Sequence, residues 1–179
     1  MSRVVADLTF HEEWFCEKSQ DTLDRLFGLV AVDTVQVVEV GSWEGRSTVA
    51  LAAAAAPVQV RAVDTWRGSP GEPSAELAGE RDVYATFAAN TAHLDNLSAF
   101  RMGWREYVSA GLIGPTRFLF IDAEHSYREV HDTIQAWRPH MLPGSIMCGD
   151  DNHYPPVQQA VLDAFGDANL EATLWWVQL

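Results

Sequence analysis

The chain has 179 residues, of which 47% are hydrophobic, and its 25 acidic and 12 basic residues give a formal net charge of −13. This length suits a single domain over residues 1–179, and the lack of a basic run argues against nucleic acids and anionic membrane surfaces as partners. We expect a cytoplasmic protein, because no segment is apolar enough for a signal peptide or a membrane span.

Helix and strand patterns alternate in the first third of the chain. The sequence Thr9-Phe-His-Glu12 fits a capping box, which predicts that a helix begins there, within an N-terminal helical segment over residues 1–33. Trp14, which follows that box, is expected in the core. Three further elements are predicted next: a strand over residues 35–40, a helix over 47–56 and a strand over 58–63.

Residues 66–80 are rich in Gly, Pro and Glu and show no periodicity, which predicts a loop that is either functional or mobile. The second capping box, Ser126-Tyr-Arg-Glu129, predicts the start of a helix whose buried face includes Tyr127 and Trp137. The other elements predicted here are a helix over 81–93, a weak strand over 98–102, strands over 118–122 and 145–149, a helix from Pro155 and a strand-like tail over 170–179.

This alternation predicts an α/β fold, a doubly wound and mostly parallel Rossmann-like sheet with helices on both faces. In such sheets, ligands bind outside the carboxyl ends of the strands, near the point where the strand order reverses. The residues that follow the predicted strands are therefore the first place to look for a functional site.

Two apolar runs end at carboxylates, the first at Asp122 and the second at Asp150 and Asp151. If these strands are neighbours, their ends lie about 4.8 Å apart, and the three acids and His125 meet at one edge of the sheet. Such a cluster is costly unless a cation or a reaction requires it. The alternative is an ordinary turn, and Asp150 and Asp151 can both face a cation only if the strand breaks there.

A second feature is the turn between Gly41 and Gly45, which leads into a predicted helix and offers free backbone amides to a ligand. Asp64 follows Gly41 by 23 residues, a spacing that suits a carboxylate on ribose hydroxyls. A tight turn and a solvated acid would explain the same pattern. The spacing G-x-G-x-x-G is absent, which argues against an NAD enzyme.

The whole pattern resembles class I S-adenosylmethionine-dependent methyltransferases, and most closely the metal-dependent macrocin-type sugar O-methyltransferases and their cephalosporin-hydroxylase-like relatives. The similarity runs from about Val37 to Val161. Its sharpest stretches are Val38-Glu-Val-Gly-Ser-Trp-Glu-Gly-Arg-Ser-Thr48, Val63-Asp-Thr-Trp66, Tyr84-Ala-Thr-Phe-Ala-Ala-Asn90, Ile121-Asp-Ala-Glu-His-Ser-Tyr127 and Gly149-Asp-Asp151.

The resemblance implies where S-adenosylmethionine would bind. The residues implied for its methionine half are Glu39, Gly41, Trp43, Gly45 and Ser47. Asp64 would hold the ribose with Trp66 beside it, and Gly103 and Trp104 would lie beside the adenine.

The resemblance also implies a reaction, in which a hydroxyl of a sugar or another small metabolite is methylated. Asp122, Asp150 and Asp151 would bind Mg²⁺ or another divalent cation, with Asp122 also beside the cofactor, and His125 would be the general base. A bound cation would lower the pKa of the hydroxyl, and an imidazole near pKa 6.5 suits removal of its proton.

The family pattern is not matched throughout, and this leaves alternatives open. Only residues 170–179 are left for the two-strand hairpin that normally closes the sheet of this family, and longer N-terminal and lid segments are missing. A catalytically silent cofactor-binding subunit that needs a partner, or a homo-oligomer, would fit these departures. A metal-dependent hydrolase would use the same Asp and His residues without the nucleoside.

Overall fold

The computed structural model describes residues 8–30 and 36–179, and the statements below refer to these ranges. The strands are β1 Gln36–Val40, β2 Val60–Asp64, β3 Leu97–Arg101, β4 Thr116–Ile121, β5 Met141–Gly149, β6 Asn169–Glu171 and β7 Leu174–Gln178. The helices are α1 Glu17–Phe27, α2 Arg46–Ala55, α3 Pro73–Glu80, α4 Val83–Thr91, α5 Trp104–Ser109, α6 Tyr127–Trp137 and α7 Pro155–Phe165.

All seven strands form one sheet in the order β3-β2-β1-β4-β5-β7-β6. The first five strands pair in parallel, and β7 runs antiparallel to both β5 and β6. The strand order reverses between β1 and β4, so the loops after these strands diverge and leave a crevice at their carboxyl ends. The predicted doubly wound fold is confirmed, and residues 169–178 form the hairpin at the far edge of the sheet.

The core lies on both faces of the sheet, because side chains of a strand alternate between its faces. One face buries Val37, Phe118 and Phe120 against α1 and α2, and the other buries Val38, Leu119 and Met147 against α6 and α7. This double burial explains why the central strands are nearly continuous apolar runs. Within the described residues, no helix has both the length and the apolar character that crossing a membrane requires.

The structure corrects the N-terminal helix. Residues 8–16, hereafter the N-terminal segment, form neither helix nor strand, and the helix begins only at Glu17. The reason is tertiary, since the Glu12 carboxylate accepts hydrogen bonds from Trp43 and Arg81 and so does not cap a helix. Trp14 is 53% exposed and not in the core. The rest of the predicted segment, residues 1–7 and 31–33, lies outside the described residues.

Residues 66–80 contain more structure than predicted. The chain forms a tight turn at Gly68, which has φ +68°. Only glycine fits there, because a Cβ would lie 2.2 Å from the carbonyl carbon of Ser74. Ser74 accepts a hydrogen bond from the Ser69 amide, and α3 begins directly after Glu72.

Two other details of the helices differ from the prediction. Helix α5 follows β3 and was not predicted from the sequence. Ser126 does cap α6, through a hydrogen bond from the Glu129 amide, but Tyr127 is 39% exposed and is not part of the buried face. Trp137 is fully buried, as predicted.

Candidate functional site

The carboxylates after β4 and β5 meet because these strands are parallel neighbours, with Ile121 paired to Gly149. β5 ends at Gly149, and Asp151 has φ +61°, so the regular strand does break here, and the Asp151 carboxylate contacts His125 after the end of β4. One ligand atom from each of Asp122, His125 and Asp151 lies within 4.8 Å of the others. The Asp150 carboxylate is not part of this group and accepts a hydrogen bond of 2.8 Å from the Asp151 amide.

His125 lies between two carboxylates. Its Nε2 is 2.6 Å from Asp151 Oδ2, and its Nδ1 is 3.0 Å from Glu72 Oε2. The other oxygen of Glu72 accepts a 3.3 Å hydrogen bond from the His125 amide, and the Tyr154 ring stacks on the imidazole at 5.1 Å. The imidazole is therefore held on three sides, with Glu72 supplied by the turn before α3.

The electrostatics of this group show an excess of negative charge. Burial, followed by the charges of Asp150 and Asp151, raises the pKa of the Asp122 carboxyl well above its usual range. Burial is also the main reason why the pKa of Asp150 is raised. Burial opposes the charged form of His125, but the carboxylates of Asp151 and Glu72 outweigh it and raise the pKa of this histidine.

These residues fit a hard divalent cation. Among the residues that the structure describes, Asp122 has no partner that donates a hydrogen bond to its carboxylate, although it lies beside two further acids. Oxygen donors at this spacing are what Mg²⁺ prefers, and a cation would offset their mutual repulsion. Asp122 and Asp151 would hold it, with His125 at the edge of the same group.

The turn between β1 and α2 touches the acid group. Gly41 has φ +89°, and a Cβ there would lie 1.9 Å from the Asp122 carbonyl oxygen, so the turn and the end of β4 are in direct backbone contact. Gly45 also has a positive φ, of +88°, where the chain enters α2. Only glycine allows this close approach without strain.

Glu39 lies beneath this turn and is fully buried. Its carboxylate accepts hydrogen bonds from Ser42 at 2.7 Å, from Ser47 at 2.6 Å and from Thr48. Burial raises the pKa of Glu39 to about 7, and the three hydroxyls only partly oppose that rise. Glu39 and the Ser47 hydroxyl thus hold the turn in shape from below.

We expect the free energy of unfolding of the metal-free protein to fall as the pH rises from about 4.5 to about 7. Because the folded state keeps a proton on Glu39 that the unfolded state releases, the slope against pH is negative. The contribution of Glu39 is on the order of 3 kcal/mol. Urea denaturation in EDTA across this pH range measures it.

The Glu39→Gln variant should remove most of that contribution and flatten the curve. Asp122 and Asp150 add changes of the same sign, so some slope is expected to persist. The exposed Glu76→Gln variant is the matched control and should follow the wild-type protein. Parallel curves for the wild-type protein and Glu39→Gln would contradict the prediction.

Asp64, at the end of β2, joins the glycine turn to the next loop. Its Oδ2 accepts hydrogen bonds from the amides of Ser42 and Trp43, at 2.7 and 2.9 Å, and its Oδ1 accepts one from Trp66 at 2.7 Å. A carboxylate has about four acceptor positions, so one remains for a ribose hydroxyl. Trp66 itself is 3% exposed and packs on Phe87, which leaves little of its ring for a ligand.

Gly103 and Trp104 follow β3, on the side of the crevice where the resemblance implies an adenine. Gly103 precedes α5, and Trp104 is half-buried in its first turn. The indole donates a 3.0 Å hydrogen bond to Glu129, and the Arg105 guanidinium lies 4.2 Å from the ring centroid. The orientation of Trp104 is therefore fixed by α6.

A small cavity of about 50 Å³ lies between the glycine turn and the N-terminal segment. Its lining residues are Phe10, Glu12, Trp14, Phe15, Ser42, Trp43, Glu44, Arg46, Ser47 and Asp122. Asp122 therefore belongs both to this cavity and to the acid group. The sequence pattern of the N-terminal segment predicts a helix and so does not reveal that these residues line a cavity.

Arg81 connects the N-terminal segment to the glycine turn beside this cavity. Its guanidinium binds Glu12 of the N-terminal segment at 2.5 Å and Glu44 of the glycine turn at 3.1 Å. Asn90 of α4 bonds the backbone of Thr9 and the carbonyl of Glu44. The same segment, turn and helix are thus fixed to one another by side chains that sequence patterns do not connect.

The family model described as a methyltransferase domain matches residues 38–152 of the chain. This stretch begins in β1, ends just after Asp151 and includes the glycine turn, Asp64, Asp122 and His125. No curated protein sequence matches the chain.

Solved structures of O-methyltransferases share the fold. NovP superposes with a TM-score of 0.68 at 17% identity, over 90% of this chain and 79% of NovP. CalS11, described as a TDP-rhamnose 3′-O-methyltransferase of calicheamicin biosynthesis, gives 0.57 at 17% identity, over 89% and 76% of the two chains. An O-methyltransferase from Bacillus cereus in complex with SAH gives 0.60 at 16% identity, over 97% and 85%.

Proposed function

Because the chain belongs to the methyltransferase-domain family and has the class I, S-adenosylmethionine-dependent fold, we propose that it methylates a hydroxyl of a sugar or another small metabolite. The observation that carries this proposal is the position of Asp122, which lines the cavity at the glycine turn and also belongs to the acid group with His125. A cofactor in the cavity and an acceptor at the acids would then be adjacent.

The residues of the site would have the following roles. Ser42, Trp43 and Ser47 line the cavity for the methionine half of the cofactor, and Asp64 keeps an acceptor position for the ribose. S-adenosylmethionine, when bound, supplies an electrophilic methyl group on a sulfonium. The backbone at Gly41 brings this cavity against the end of β4, where the acids lie.

Asp122 and Asp151 would hold Mg²⁺ or another divalent cation, which, when bound, acidifies and orients a hydroxyl. Asp150 is not in this group, but its charge acts on Asp122. His125 would accept the hydroxyl proton, with Glu72 fixing the orientation of its ring. The names of NovP and CalS11 support O-methylation as the reaction and, for CalS11, a sugar as the acceptor.

The structure weakens the argument for a silent subunit. It was suggested by the shortness of the C-terminal stretch and by the missing lid, but β6 and β7 complete the sheet and the N-terminal segment covers the cavity. A metal-dependent hydrolase would not explain the cavity at the glycine turn. Location in the cytoplasm and a homo-oligomeric state stay predictions from the sequence.

Calorimetric titration of S-adenosylhomocysteine into EDTA-treated protein, repeated with Mg²⁺, tests the proposal. We expect micromolar binding in both buffers and a change in affinity or enthalpy with Mg²⁺, since Asp122 touches both sites. The Asp151→Asn variant should keep the binding and lose the Mg²⁺ effect, whereas the exposed Asp167→Asn variant should behave as the wild-type protein. Absence of binding in either buffer would contradict the proposed function.

A further inference from the structure

Asn152, the residue after Asp151, joins the loop after β5 to the β6–β7 hairpin. Its backbone amide donates a 2.9 Å hydrogen bond to the carbonyl oxygen of Thr173, and its side-chain Nδ2 donates to those of Leu174 at 2.8 Å and Ala172 at 3.3 Å. These three acceptors are consecutive residues at the turn between the two strands. One asparagine therefore fixes the loop to this turn with its backbone amide and its side-chain amide together.

The hairpin turn is itself anchored to a helix of the core. The Thr173 hydroxyl lies 2.7 Å from the hydroxyl of Ser19, a fully buried residue of α1. From α7, the Gln158 side chain donates a 2.6 Å hydrogen bond to the carbonyl oxygen of Asn152. Asn152 is thus attached to elements that the packed core holds in place.

This attachment matters because of the backbone of Asp151. Its φ of +61° is unfavourable for a residue with a side chain, and such a conformation persists only where the surroundings enforce it. The conformation affects the site directly, since Asp151 Oδ2 lies 2.6 Å from Nε2 of His125, in the same group as Asp122. If the backbone relaxed to a negative φ, the direction of the carboxylate would change.

We propose that Asn152 is a positioning residue, which binds the hairpin turn, holds Asp151 in its left-handed conformation and so keeps the carboxylate in place for a divalent cation. The inference rests on the proposed function and deepens it, because it gives the β6–β7 hairpin a part in metal binding. Since its side-chain amide binds the hairpin, Asn152 acts on the cation through Asp151.

Binding of Mn²⁺ in place of Mg²⁺ tests this role without an acceptor. Electron paramagnetic resonance of the free ion would measure the affinity of the full-length wild-type protein and of the Asn152→Ala, Asn152→Ser and Asn169→Ala variants. Asn169 is the matched control, since it is an exposed asparagine of the same hairpin whose Nδ2 also bonds a carbonyl oxygen, that of Trp176. Calorimetry with S-adenosylhomocysteine and urea denaturation would be carried out on each variant.

We expect Asn152→Ala to weaken Mn²⁺ binding roughly 10- to 100-fold, the usual effect of removing a partner that orients a metal ligand. Asn152→Ser keeps one side-chain donor and should lose less affinity. The affinity for S-adenosylhomocysteine should stay within about twofold in both variants, because Asn152 does not line the cavity at the glycine turn. Asn169→Ala should behave as the wild-type protein in both binding measurements.

The outcomes separate this inference from the proposed function. Unchanged Mn²⁺ affinity in folded Asn152→Ala, even with a lower free energy of unfolding, would leave Asn152 a structural role and overturn the inference alone. Absence of Mn²⁺ binding by the wild-type protein would overturn it as well. If the wild-type protein bound no S-adenosylhomocysteine, the proposed function would fail, and the Mn²⁺ affinities would still decide the role of Asn152. If Asn152→Ala did not fold, wild-type Mn²⁺ affinity in Asn152→Ser would overturn the inference.

Discussion

Replacement of His125 by alanine is expected to lower kcat by roughly 10²- to 10⁴-fold, the usual effect of removing a general base. His125 lies in the acid group but is not among the residues that line the cavity at the glycine turn. The affinity for S-adenosylhomocysteine should therefore stay within about twofold of the wild-type value. Methyl transfer to an acceptor found by screening sugars and other hydroxyl compounds measures the first quantity, and calorimetry measures the second.

His153 provides the matched control, since it follows β5, the strand that leads to Asp151, is 60% exposed, and has a nitrogen 3.8 Å from Asp151. The His153→Ala variant should retain most of the activity. Wild-type turnover in His125→Ala would exclude His125 as the base. A parallel loss of cofactor affinity would instead assign it a structural role.

Replacement of Gly41 by alanine is expected to abolish cofactor binding and to destabilise the fold by about 3 kcal/mol or more. Part of this cost, about 1–2 kcal/mol, is the left-handed backbone. The rest is overpacking, since the new Cβ would lie 1.9 Å from the Asp122 carbonyl oxygen and 2.8 Å from the Ala123 amide nitrogen. Backbone atoms of two strand ends cannot move aside as a flexible side chain would.

Alanine variants of two other glycines, measured by urea denaturation, separate the backbone cost from the overpacking cost. Gly71 has φ +83°, and a Cβ on it would meet no other atom within 4 Å, so Gly71→Ala should show the backbone cost alone. Gly79 lies in α3 with open space and no positive φ, so Gly79→Ala should be neutral or stabilising. If Gly41→Ala were no less stable than Gly71→Ala, the contact between the turn and β4 would not be as tight as the structure indicates.

The sequence predicted the sheet because buried parallel strands leave a strong local signal. The apolar runs before Asp64, Asp122 and Asp150 each end within a residue or two of the observed strands. The proximity of the two strand ends that lead to Asp122 and Asp150 then follows from parallel pairing. What the pattern could not show was the break at Asp151, which depends on one residue with a positive φ.

Other parts of the site depend on long-range contacts and escaped prediction for that reason. Glu12 reads locally as part of a capping box, yet its partners are Trp43 and Arg81, far along the chain. Glu72 belongs to a stretch without periodicity, and its bond to His125 spans 53 residues. Single-sequence patterns report neighbours along the chain, so contacts of this kind become visible only in the folded structure.

The hairpin of β6 and β7 also has a consequence for association between chains. The last five residues of β5 are all buried, and β7 covers the hydrogen-bonding edge that would otherwise be open beside them. An apolar edge of this kind is a template on which another chain can add a strand. The hairpin therefore guards against aggregation, and it does so on the strand that carries Asp150 and Asp151 into the site.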